Sequence, residues 1–173
     1  KRQVLLMAAL TPFIMPLIDE SQRSRFEFNT YVYGDSGSGK SAITKLLVDY
    51  FEGSPNIINL HSNKSEIDKI FEYKHCCVAI DDLCGTDSNR ERENNEQKLS
   101  ENLKRVQTPG QIVRDGKRIK NESMLFVTGE YLLKSSSTLN RCLVVNLKDP
   151  IPPKEINKLC RNKDQYLEMV RCF

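Results

Sequence analysis

The stretch that most restricts how this chain can fold is "GDSGSGKS", residues 34–41. It follows "FEFNTYVY" (26–33), which is rich in aromatic and β-branched residues and reads as a strand. After it, "SAITKLLVDYF" carries Ile43, Leu46, Leu47 and Tyr50 at helical spacing until Gly53 and Pro55 stop the run. Gly34, Gly39, Lys40 and Ser41 therefore satisfy G-x-x-x-x-G-K-[ST] in the strand–loop–helix setting that the pattern requires. Such a loop curls so that successive backbone N–H groups face a phosphate, and the helix N-terminus adds partial positive charge. All of Gly34, Asp35, Ser36, Gly37, Ser38, Gly39, Lys40 and Ser41 are assigned to a bound triphosphate. Lys40 should reach the β- and γ-phosphates and the Ser41 hydroxyl should ligate Mg2+, so ATP and Mg2+ are the expected ligands.

Downstream, strands and helices alternate. "NIINL" (56–60) reads as a short strand, "EIDKIFEY" as a helix capped by Ser65, and "CCVAI" (76–80) as a strand buried on both faces. A long polar helix follows over 88–107, with Leu99, Leu103 and Val106 as a thin apolar stripe. "QIVRDGKRI" has the signature of a hairpin turning at Asp115-Gly116. "MLFVT" (124–128) and "CLVVNL" (142–147) are further strands, and helices are expected in "KEINKLC" and "DQYLEMVRCF". The alternation predicts an α/β three-layer sandwich with a mainly parallel sheet of about five strands. One domain boundary is expected: a core over 1–150, with an N-terminal helix at 1–20, then a C-terminal helical segment over 151–173. The chain opens at Lys1, so it is expected to be a piece of something larger.

Composition excludes little by itself. With 26 basic and 23 acidic residues the net charge is +3, so any nucleic-acid partner has to be argued from local charge. The six cysteines form no C-x-x-C pair, and adjacent Cys76 and Cys77 would point to opposite faces of a strand. Neither a zinc site nor a disulfide framework is expected, which fits a reducing cytoplasm, or a nucleus for a viral protein in a eukaryotic host. Residues 4–18 are apolar but too short to span a bilayer, and Thr11, Pro12 and Pro16 interrupt them. No membrane partner is expected.

Asp81 ends an apolar strand, where a Walker B acid would help to hold Mg2+. A helix, a strand and another helix fit between Ser41 and Cys76. In the branch that resembles RecA and AAA+ proteins, a later strand lies between the two Walker strands. "MLFVT" is the candidate, giving the order 5-1-4-3-2 with the hairpin inserted before this sensor strand. That branch places a water-polarising acid directly after the Walker B Asp, here Asp82, which is one methylene shorter than the usual Glu. Thr128, at the strand tip, would orient the attacking water. Arg141, before the last core strand, would act in trans as an arginine finger on a neighbour's ATP. ATP would then lie at subunit interfaces of a homo-oligomer, such as a hexameric ring.

The hairpin segment 110–120 carries Arg114, Lys117, Arg118 and Lys120 against Asp115 alone, a local excess equal to the net charge of the whole chain. Basic side chains there suit sequence-independent contacts to the backbone of single- or double-stranded DNA. An ordinary solvated hairpin whose charges discourage edge pairing is the competing reading.

In order, these pieces resemble the helicase-like ATPase domain of mobile-element and phage primase-helicase proteins, including those of staphylococcal cassette elements. The resemblance is carried by "MAALTPFIMPLI", "YGDSGSGKS", "VAIDDL" with Asp82 in place of the usual Glu, "GQIVRDGKRIKNESMLFVTGE" and "LNRCLVV". It implies an AAA+-like fold, ATP and Mg2+, and a motor acting on DNA during replication of a mobile element, phage or virus. The alternative is a signalling or defence ATPase that assembles on binding ATP, hydrolyses it slowly and does not move DNA. A phosphotransferase would need an acceptor pocket and a basic lid, and neither is evident in the sequence.

Overall fold

A computed structural model describes residues 11, 14, 17–19, 29–52, 57–60, 77–83, 88–107, 112–114, 117–119 and 124–162. In chain order the elements are β1 (Asn29–Tyr33), α1 (Lys40–Glu52), β2 (Ile57–Asn59), β3 (Cys77–Leu83), α2 (Asn89–Gln107), β4 (Ile112–Arg114), β5 (Lys117–Ile119), β6 (Met124–Gly129), α3 (Ser136–Leu139), β7 (Cys142–Asn146) and α4 (Pro153–Arg161). Of the expected N-terminal helix at 1–20, Thr11 and Ile14 are α-helical, whereas Leu17, Ile18 and Asp19 are described and are not. The expected helix at 66–73, the Asp115-Gly116 turn and the final helix at 164–173 lie outside the described residues.

Five strands form one all-parallel sheet in the order β2-β3-β6-β1-β7, which is the expected 5-1-4-3-2 read from the other edge. β4 and β5 form a separate antiparallel hairpin. Because side chains alternate along each strand, the sheet has two apolar faces. On one, Cys77, Ala79, Met124 and Phe126 pack with Val48 and Leu47 of α1. On the other, Val78, Ile80, Leu83, Leu125 and Val127 pack with Leu99 and Leu103 of α2. Full burial of each of those two leucines contributes about 1.5–3 kcal/mol, enough to hold an otherwise highly polar helix against the sheet.

α2 is more deeply seated than its composition suggests. Asn95, Glu96 and Asn102 are buried alongside the two leucines. Among the described residues, no helix is long and apolar enough to cross a membrane.

The edges of the central strands set the functional end. β3 and β6 run in register from Cys77↔Met124 to Ile80↔Val127, then the register shifts so that Leu83 pairs with Gly129. Asp81 and Asp82 together stand against the single residue Thr128. β3 therefore continues past Ile80, where the sequence had suggested its end, through a bulge to Leu83. An extra residue of this kind reverses the alternation, and Leu83 joins the same apolar face as Ile80.

Candidate nucleotide site

The loop after β1 is built by two glycines in conformations that other residues rarely adopt, Gly37 at φ 74° and Gly39 at φ 91°. Ser38 N–H closes a turn on Asp35 O at 3.2 Å. The chain beyond β7 backs the loop: Ile151 N–H donates to Ser38 O at 3.1 Å, and Ile151 and Ile156 lie against Gly39. α1 starts at Lys40 with no acidic residue in its first turn, so the positive end of its dipole is left for an anion.

Lys40 is buried, and its ammonium donates to Gly34 O at 2.8 Å and Asp35 O at 2.7 Å. The long side chain is thus held over the loop's own carbonyls. The Ser38 hydroxyl is buried and has no hydrogen-bond partner among the described residues. An orphaned donor inside a loop of this shape fits a phosphate oxygen as its missing partner.

The centre of the site is Asp81. Its Oδ1 accepts from Ser41 Oγ at 2.8 Å and from Thr128 Oγ1 at 2.6 Å, and its Oδ2 pairs with Lys45 Nζ at 3.1 Å. Three elements meet on one carboxylate: α1 supplies Ser41 and Lys45, β3 supplies Asp81, and the tip of β6 supplies Thr128. Burial pushes the Asp81 carboxyl up, but the hydrogen bonds from Thr128, Ser41 and Lys45, with the Lys45 charge, outweigh it and hold the group below its usual value. Asp81 is ionised at neutral pH. A hydroxyl and a carboxylate 2.8 Å apart at the mouth of the loop are hard oxygen donors of the kind Mg2+ prefers, so the residues present fit that ion.

The residue after Thr128 opens a segment tied to β1, β3, the phosphate loop and α2. Gly34 N–H donates to Gly129 O at 3.2 Å, and Glu130 N–H donates to Leu83 O at 3.0 Å. The Tyr31 hydroxyl donates to Tyr131 O at 2.5 Å. Glu96 of α2 accepts from Lys134 N–H at 3.0 and 3.1 Å and from Ser135 N–H at 3.1 Å. Arg92, one turn before Glu96, lies over the Tyr131 ring at 5.3 Å.

Of the residues singled out in the sequence, the structure brings Gly34 to Ser41, Asp81 and Thr128 together. It does not bring Arg141 to them. Arg141 precedes β7 at the level of Asn29, the first residue of β1, while the phosphate loop leaves β1 at its other end. The five-residue strand between them spans about 16 Å at ~3.3 Å per residue. Asp82 lies in the β3 bulge, and its carboxylate is outside what is described. In the hairpin, Arg114 pairs with Lys117 and Arg118 with Val113. Lys120 lies outside the described residues.

Sequence reasoning missed Lys45, although its spacing of four from Ser41 puts both on one face of α1. It also missed Glu96, which the sequence places on a polar helix and not among the residues of its apolar stripe.

Comparison with known proteins gives one family, described as novel STAND NTPase 3, which matches residues 29–146, from the first residue of β1 to the last of β7. No curated protein matches the chain.

Proposed function

The chain belongs to the novel STAND NTPase 3 family, and from that premise we propose that it is an ATPase working as a nucleotide-dependent, oligomerising switch. The observation that carries the reading is the single Asp81 oxygen shared by Ser41 and Thr128. It links the phosphate loop to the tip of the central strand, so a ligand that engages Ser41 and Asp81 would act on the same oxygen that holds Thr128. From Thr128 the pinned segment 129–135 leads to Glu96, giving the site a route to α2.

ATP would take the backbone N–H groups of the loop, the Ser38 hydroxyl and the Lys40 ammonium. Ser41 and Asp81 would hold Mg2+, which when bound shields the charge of the phosphates. Thr128 would orient the attacking water, and Asp82 would accept its proton. With a carboxylate one methylene shorter than Glu at that position, slow turnover is expected, which suits a state that must persist after assembly. Arg141, remote from the loop of its own chain, would serve only a neighbour's nucleotide.

A DNA motor of the primase-helicase type is the second reading. It is favoured by the antiparallel register of β4 and β5, in which Arg114 pairs with Lys117 within a basic segment. A basic segment of this kind suits contact with a polyanion. Phosphate release measured with and without single-stranded DNA separates the two readings. The switch predicts slow turnover that DNA leaves unchanged. Strong stimulation by DNA, lost when Lys117 and Arg118 are replaced by Ala, would replace the switch with the motor.

A further inference from the structure

Lys45 stands beside the carboxylate that the proposed site gives to a divalent ion. Its ammonium is 3.1 Å from Asp81 Oδ2, and its side chain is 44% exposed where that of Asp81 is 19% exposed. Lys40, the loop's own cation, is engaged with Gly34 O and Asp35 O. The other Asp81 oxygen is occupied by the two hydroxyls. Lys45 thus supplies Asp81 with a full positive charge, from the helix position one turn beyond Ser41.

We propose that Lys45 is a built-in counter-cation for Asp81, which stands in for the divalent ion when none is bound and so sets how strongly nucleotide binding depends on metal. This rests on the reading that Ser41 and Asp81 hold Mg2+.

The argument is one of competition for a single negative charge. A divalent ion entering between Ser41 and Asp81 meets the Lys45 charge, which opposes it, and gains less from a carboxylate already paired. The half-exposed lysine can yield, because its flexible stem lets the ammonium move into water. In the absence of metal the same lysine has the opposite effect. A triphosphate in the loop would face the bare Asp81 carboxylate, and Lys45 screens that repulsion. Weaker metal binding and tolerated metal-free nucleotide both reduce the difference between the two conditions. The family match and the loop motif assign no such part to this position.

The test uses the full chain and a fluorescent ATP analogue. Its Kd is measured in chelator and in saturating Mg2+, for wild type, Lys45→Met, Lys45→Gln and Lys45→Arg. The ratio of metal-free to metal-bound Kd should rise about two- to fivefold in the Met and Gln variants, the size expected of a half-exposed ion pair. Lys45→Arg keeps the charge and should keep the wild-type ratio. A lysine that only packs would shift both constants together and leave the ratio alone. An unchanged or smaller ratio in both neutral variants, or a raised ratio in Lys45→Arg, overturns the inference while leaving the ATPase reading intact. Wild-type binding that ignores Mg2+ altogether would remove the metal assignment and the inference with it.

Discussion

Thr128 Oγ1 lies 2.6 Å from Asp81 Oδ1, the oxygen that also accepts from Ser41. The contact joins the tips of two neighbouring parallel strands at a bulge, where two β3 residues oppose one on β6. Re-aiming a side chain is a common use of such a bulge beside a functional site. Here one buried hydroxyl is coupled to the acid that the phosphate loop also uses.

Replacing Thr128 with Val keeps the shape and removes that donor. The lost bond to a charged group is of the order of 1.5–3 kcal/mol. If it acts in the transition state, turnover should fall about 10- to 100-fold. ATP affinity, which depends on the loop, should change little. Steady-state kinetics beside a binding titration checks this; equal losses in both would make Thr128 a binding residue instead.

Asp81 also carries a pH signature. Burial raises its carboxyl, and the hydrogen bonds from Thr128, Ser41 and Lys45 more than reverse this, so the folded value lies below the ordinary one. The unfolded chain therefore binds the proton more readily. The stabilisation is complete above the ordinary carboxyl value and is lost as pH falls through the lowered folded value. Urea unfolding of wild type and Asp81→Asn should show a stability difference at about pH 7 that shrinks below about pH 4. A difference that stays constant or grows in acid would contradict the geometry at Asp81.

Glu96→Gln tests the tie between α2 and the segment after Thr128. Oε2 accepts from both Lys134 N–H and Ser135 N–H, and Oε1 accepts from Lys134 N–H; the amide removes the negative charge and sets an NH2 donor against the Lys134 N–H in place of Oε1. A cost of about 1–3 kcal/mol is expected, the range for lost bonds to a charged group or an unsatisfied buried one. Changing the neighbouring Gln97 to Ala, on the exposed side of the helix, should cost far less. Denaturant midpoints at constant slope give the comparison.

Gly129 is where close approach limits the side chain. A Cβ there would collide with the Tyr31 hydroxyl and lie 2.9 Å from its ring carbon Cζ. Gly129→Ala should cost about 1–3 kcal/mol or more through overpacking. Tyr31→Phe in the same chain should restore part of it, because the hydroxyl leaves and the ring stays. Complete loss of folding in both would mean that the ring, not the hydroxyl, sets the limit.

Much of the site is legible in the sequence. The phosphate loop is a glycine-rich motif between a strand and a helix, and Asp81 and Thr128 each follow a short apolar run, so local pattern suffices for those. The strand order comes from the resemblance to RecA and AAA+ proteins, in which a later strand lies between the two Walker strands; the elements between Ser41 and Cys76 are compatible with it. The β3 bulge was not legible, because "IDDL" reads equally as a strand end and as a strand that takes in an extra residue. Glu96 was hidden because burial of a carboxylate depends on backbone N–H groups 38 and 39 residues away. The short helix α3 was missed because "SSSTL" is too short for periodicity, and its sign is the Ser135 cap accepting from Thr138. Lys45 had the right spacing, but spacing alone does not distinguish an ion pair from a solvated lysine.

The most direct test of the switch is the size of the particle with and without ATP and Mg2+, measured by light scattering on wild type and Lys40→Ala. The account predicts that ATP drives wild type into a larger assembly and that Lys40→Ala stays at the nucleotide-free size. Wild type that binds ATP yet keeps one size throughout would contradict it.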